Sequence, residues 1–184
     1  MSAVVLRAGG AEELPRTAAI AAVSLACAAL ALRSPGWTGA VVLVAALGVG
    51  LLASGRPSPS VGVAGWLGVT SVGTLAIAVV AATAPLLPLQ RPGVVGIGLT
   101  VFAAFAEESL FRRSMFALLE RWGSVFAVLA SAAAFAVVHV PGYGWRALPL
   151  DLAAGVLFGW QRSATGSWTS PAATHAAANG MIWG

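Results

Sequence analysis

Long apolar runs follow one another along almost the whole chain, parted by short clusters of proline, glycine and arginine. The runs cover residues 17–32, 37–53, 61–87, 93–106 with an extension toward Leu119, 124–140, 148–160 and 169–183. The breakers are Ser34-Pro35-Gly36, Gly55-Arg56-Pro57-Ser58-Pro59, residues 88–92, Gly123, Pro141-Gly142 and residues 162–170. A helix needs about 20 apolar residues to cross the hydrocarbon core. Several runs are shorter, so one is expected to be re-entrant or interfacial. The pattern predicts an all-α fold, a polytopic transmembrane helical bundle of about seven helices. The first run follows Arg7 and Arg16, like a signal peptide, but another apolar run comes next, so a retained first helix is expected.

Composition turns this pattern into a statement about solvent. Of 184 residues, 59% are hydrophobic and 9% charged, with mean hydropathy +0.90. Soluble domains carry about 25% charged residues. Lipid must therefore cover much of the exterior, and an integral membrane protein is expected. The net charge is +4, and all ten basic residues are arginine. With the excess of alanine, glycine and valine, this suggests a GC-rich bacterial genome and a plasma-membrane location. The arginines are scattered between apolar runs and form no basic stripe, so no nucleic-acid partner is expected. Taking the N-terminus and every second loop places Arg7, Arg16, Arg56, Arg112, Arg113, Arg121 and Arg162 on one side. Arg33, Arg91 and Arg146 fall on the other, which favours a cytoplasmic N-terminus. Trp37, Trp66, Trp122, Trp145 and Trp168 lie near run ends, as interfacial anchors do. Cys27, the one cysteine, allows no intramolecular disulfide.

Charge inside a membrane helix costs about 2.5–3.5 kcal/mol per residue, so residues that break the apolar pattern are the informative ones. Glu12 and Glu13 lie in the N-terminal segment. Asp151 is near a helix start, where an acid suits the dipole, and Glu120 falls beside Arg121 near a turn. That leaves the adjacent pair Glu107 and Glu108, and the two histidines, His139 and His175, all in apolar runs. Glu108 and Arg112 are i and i+4, with the acid N-terminal, the favourable order for a pair. Glu107 is rotated by about 100° and is expected to be left without a cation of its own. Burial pushes the pKa of such a carboxylate upward, as a general base or acid near neutral pH requires. Glu107 is 16 residues before Gly123 and His139 is 16 after it. In an antiparallel hairpin they would lie at equal height. His175 and Asn179 are i and i+4 and share a helix face, with Ser170 expected as the N-cap and Pro171 at the first helical position. An imidazole and an amide on one face can both hydrogen-bond an oxyanion.

These stretches resemble a known family. Glu107-Glu108-x-x-x-Arg112, Phe135-x-x-x-His139 and His175-x-x-x-Asn179 match, in order, the three motifs of the CPBP intramembrane proteases. That group includes the type II CAAX prenyl endopeptidases and the lysostaphin-resistance-like and bacteriocin-immunity-like proteins. The resemblance covers roughly residues 93–184, implying a catalytic helical core there and leaving residues 1–92 as N-terminal transmembrane helices. It implies Glu107 as catalytic base, Glu108 and Arg112 as its motif partners, His139 as a second water-activating group, and His175 with Asn179 as an oxyanion site. The expected activity is endopeptidase cleavage of a membrane-associated protein or peptide. The favoured glutamate mechanism requires no cofactor. A divalent metal such as zinc on Glu107, His139 and His175 remains open, although the His-Glu-x-x-His helix of common zinc proteases is absent. Family members often continue into a further helix, whereas this sequence stops five residues after Asn179, so the expectation is either a short form or a site closed by a partner or by lipid.

Each motif also has an ordinary reading. The acids could pair with Arg112 and Arg113 at a membrane edge, and His139 could terminate a helix at the interface. His175 and Asn179 could be interhelical glue, and Phe135 could serve packing alone. Two functional alternatives follow from the same residues: a non-catalytic scaffold or immunity protein, and a proton-coupled transporter with a Glu107–His139 relay. Haem ligation by the two histidines would leave the glutamates unexplained.

Overall fold

In lipid every backbone N–H and C=O must be satisfied within the protein, and apolar chains meet this demand by forming helices. The computed structural model describes residues 37–52, 60–83 and 93–181, and these form helices, joined by tight turns from residue 93 onward, with no strand among them. The helices are α1 (Trp37–Leu52), α2 (Val63–Thr83), α3 (Val94–Glu108), α4 (Ser124–Tyr143), α5 (Leu148–Thr165) and α6 (Thr169–Met181). Beyond Glu108 the α3 rod continues as a π-helix, Ser109–Met115, then one α turn, Phe116–Leu119, and a 3-10 turn, Glu120–Trp122. Among the described residues, three segments are long and apolar enough to cross a membrane: Val63–Thr83, Val94–Trp122 and Ser124–Tyr143. Six of the seven expected helices are thus in place. The run at 17–32 lies outside the described residues.

The bundle keeps apolar side chains outside and polar ones within. Val41, Leu67, Leu75, Val95, Val125 and Val137 are exposed, while Glu108, Arg112, Ser131, Gln161, Thr165, Ser170 and Thr174 are buried. The apolar core is small, formed chiefly by Leu110, Phe111, Met115, Phe135, Val138 and Phe158. The α4–α5 hairpin closes tightly because α5 presents Gly155 and Gly159, one turn apart, to α4. A Cβ on Gly155 would lie 2.9 Å from the Ala132 Cα, and one on Gly159 3.1 Å from the Val128 side chain. Small residues at such spacing let helix backbones approach in membranes. The three turns of the C-terminal half are pinned by glycines in conformations that L side chains rarely adopt: Gly123 (φ 104°), Gly144 (φ 78°) and Gly166 (φ 66°).

Four sequence expectations need correction. Pro141-Gly142 does not end α4, which runs on to Tyr143. A proline in the last turn of a helix forfeits one ladder bond without stopping the chain. Ser170 and Pro171 lie inside α6, which begins at Thr169. The Thr169 N–H instead donates to Ser167 Oγ, and Ser170 Oγ is 2.8 Å from Thr70 Oγ1 on α2. Interhelical bonding claimed the hydroxyl that the capping rule would have used. Finally, Arg112 and Arg162 are buried on helices and are not loop charges. Trp168 is buried as well, edge-on to Phe105, and is no interfacial anchor.

Candidate active site

The acidic pair closes α3 where the hydrogen bonding widens into the π-helix. Such wide turns are rare and occur frequently at functional sites. Glu108 and Arg112 are wholly buried. Arg112 Nε is 3.3 Å from Glu108 Oε2, its Nη1 donates to Glu108 Oε1 at 3.3 Å, and its Nη2 donates to the Gly155 carbonyl at 3.0 Å. Its guanidinium carbon lies 4.6 Å from the ring centre of Phe135 and 5.4 Å from that of Phe158. A buried cation is tolerable only when paired and hydrogen-bonded, and the ring faces add cation–π attraction. The π segment leaves a further acceptor, the Arg112 carbonyl, which takes the Nε–H of Arg162 at 3.0 Å. Arg162 also approaches Glu120 at 4.0 Å.

Glu108 Oε1 both accepts from Arg112 and meets His175 Nδ1 at 3.0 Å, while its buried Oε2 has only the ion pair with Arg112 Nε. Glu107 points elsewhere. Its Oε2 lies 3.6 Å from His139 Nε2 and 3.9 Å from His175 Nε2, and its side chain is 14% exposed. Two imidazoles thus face the carboxylate that was expected to have no cation of its own. The count from Gly123 could reveal only His139, since the second ring comes from α6, which packs along α3.

Each ring is aimed by its other nitrogen. His139 Nδ1 is 2.7 Å from the Phe135 carbonyl. A carbonyl only accepts, so Nδ1 holds a proton and Nε2 faces Glu107, with its lone pair free there when the ring is neutral. Tyr143 stacks on His139 at 5.6 Å and 13°, and Phe158 stacks on His175 at 5.0 Å and 20°. Phe135 touches both rings, at 4.3 Å from His139 and 5.7 Å from His175. It serves both packing and, through its carbonyl, the orientation of His139. Asn179 is half-buried one turn beyond His175, and its amide makes no hydrogen bond among the described residues.

The structure thus brings Glu107, Glu108, Arg112, His139 and His175 together, with Asn179 on the same face of α6 as His175. Sequence reasoning did not find Tyr143, Phe158 or the inward placement of Arg162. The signal available was the helical spacing of Gly155, Phe158 and Arg162 along α5. Among the described residues no group of three His, Cys, Asp or Glu side chains is disposed to hold a metal ion. Glu108 is already committed to Arg112 and His175.

Comparison with family models finds a match to the family described as type II CAAX prenyl endopeptidase Rce1-like, over residues 90–181. That span takes in α3 to α6. No curated protein and no solved structure matches the chain.

Proposed function

The chain belongs to the type II CAAX prenyl endopeptidase Rce1-like family, and on that premise we propose that it hydrolyses a peptide bond of a membrane-associated protein or peptide, with Glu107 and His139 activating the attacking water. The observation that carries the reading is the convergence of Glu107 Oε2 and the His139 Nε2 lone pair, 3.6 Å apart. That separation is too long for a direct hydrogen bond. It suits a water that donates one proton to each group and turns its own lone pair toward a substrate carbonyl. Glu107 takes the proton as the C–O bond forms. Asn179 then donates to the oxyanion, joined by His175 through Nε2–H when its ring is protonated, Nδ1–H being held by Glu108; a preorganised donor there lowers the barrier most. Glu108 and Arg112 hold the His175 ring and do not themselves meet the substrate.

The family's chemistry is carried over, but a prenyl group as substrate is not. On this reading no metal is required, and activity in detergent should survive exhaustive chelation. We place the protein in a bacterial plasma membrane with its N-terminus cytoplasmic. Removing the buried Arg112 and Arg162 from the loop count still leaves Arg7, Arg16, Arg56, Arg113 and Arg121 against Arg33, Arg91 and Arg146.

The test is a quantitative terminal-peptide profile of membranes holding equal amounts of wild type or Glu107→Gln. Loss of a general base lowers rate by about 10²–10⁴-fold. New termini found with wild type and absent with the variant support hydrolysis and identify substrates. Identical profiles would sink it and leave a non-catalytic scaffold.

A further inference from the structure

The face that α5 turns to the site is fixed by its contacts. The Gly155 carbonyl accepts from Arg112, Phe158 stacks on His175, and Arg162 reaches the Arg112 carbonyl. One turn before Gly155 the same stripe arrives at Asp151. Its carboxyl feels the charges of His139, Glu107 and His175 together, from α4, α3 and α6. Tyr143, stacked on His139, lies in the field of both Glu107 and Asp151. Asp151 Oδ2 is buried and meets no donor. An acid placed in a first helical turn only to complement the dipole has no reason to bury an oxygen that no donor meets. Asp151 lies outside the three spanning segments, and burial pushes its carboxyl above the usual range, against the pull of His139.

We propose that Asp151 is a further catalytic residue of this site, the acid that protonates the leaving amine. The inference rests on the hydrolytic reading above. Water loses one proton to Glu107 as its oxygen bonds to the carbonyl carbon. When the tetrahedral species collapses, the C–N bond breaks and its electron pair takes the proton of Asp151. The site then holds a protonated Glu107 and an ionised Asp151. Passage of that proton by way of His139, which interacts with both carboxyls, restores the starting state. Atoms and charge balance with water as the sole co-reactant.

The variants to compare are Asp151→Asn, which keeps size and removes the proton donor, and Asp151→Glu, which keeps the donor. Each is assayed as full chain in detergent-solubilised membranes for the termini that wild type produces, across neutral to alkaline pH, alongside thermal unfolding. The expected result is a loss of about tenfold or more for Asp151→Asn, within the range of general-acid contributions. Its alkaline limb of activity should also disappear, and Asp151→Glu should recover part of the rate. Burial raises the pKa of this acid in the folded state, so ionisation at neutral pH weighs against folding, and an amide that cannot ionise relieves it. Asp151→Asn should therefore unfold at the wild-type temperature or above. Wild-type rate and pH profile in Asp151→Asn would overturn the assignment. So would an activity loss that merely follows a lowered unfolding temperature in both variants. If wild type yields no termini beyond those of Glu107→Gln, the hydrolytic reading itself fails and takes this inference with it.

Discussion

At the scale of single residues, Arg112 ties the site together. It pairs with Glu108, donates to the α5 backbone, stacks on aromatic rings and lends its own carbonyl to Arg162. Removing one member of a buried pair leaves the other uncompensated, at a cost of about 3–5 kcal/mol. Arg112→Leu should therefore lower the unfolding temperature sharply in detergent. Pairing it with Glu108→Leu should recover part of the loss, a non-additivity that a double-mutant cycle would measure. The Glu108–Arg112 pair was legible in the sequence, because i, i+4 spacing on a helix is a local property. The meeting of Glu107 with His139 was legible from equal distances to Gly123. His175 was legible as a site residue but not as a neighbour of both glutamates, and the inward Arg162 and the role of Asp151 were not legible. Each depends on which helix packs against which, and a single sequence carries that only weakly.

At the scale of helices, the α4–α5 contact sets the geometry from which the site hangs. The obstacle to a Cβ at Gly155 is the backbone of Ala132, which cannot swing aside. Gly155→Ala should destabilise by about 1–3 kcal/mol, as overpacked interiors do. It should also reduce cleavage, since the Gly155 carbonyl that receives Arg112 would move with the helix. Thermal unfolding and the terminal-peptide assay on the same preparation check both. Helix positions were read well from apolar runs and glycine breaks, and their limits less well. Pro141 failed to stop α4, and Ser170 found a partner across the bundle instead of at its own helix end. The π-helix was invisible, because its i+5 bonding leaves no mark on a run that is apolar throughout.

At the scale of the whole molecule, the family match begins at residue 90, yet α2 is bound into the same bundle. Trp66 donates to Thr169, Thr70 meets Ser170, and Gln161 donates both to Thr174 and to the Val69 carbonyl. Interhelical hydrogen bonds of this kind contribute about 0.6–2 kcal/mol each. Without α2, these side chains would face lipid. A chain reduced to residues 93–184 should therefore be degraded or aggregate in membranes, whereas supplying residues 1–92 as a separate chain should raise its yield. Recovery of the short form at wild-type level and unfolding temperature would argue that α2 is dispensable. The overall class was the most legible feature of all, since composition alone demands lipid around the chain.

The three glycine-pinned turns bear on how anything reaches Glu107. Between residues 93 and 181 the connections at Gly123, Gly144 and Gly166 are only one to a few residues long. No loop in that half has the reach to act as a flap. Admission of an extended polypeptide must then come from helices parting as rigid bodies, sideways from the bilayer. Motions of that kind run on microsecond to millisecond scales or slower. Turnover would be paced by the fluidity and thickness of the surrounding lipid as much as by the chemistry at Glu107.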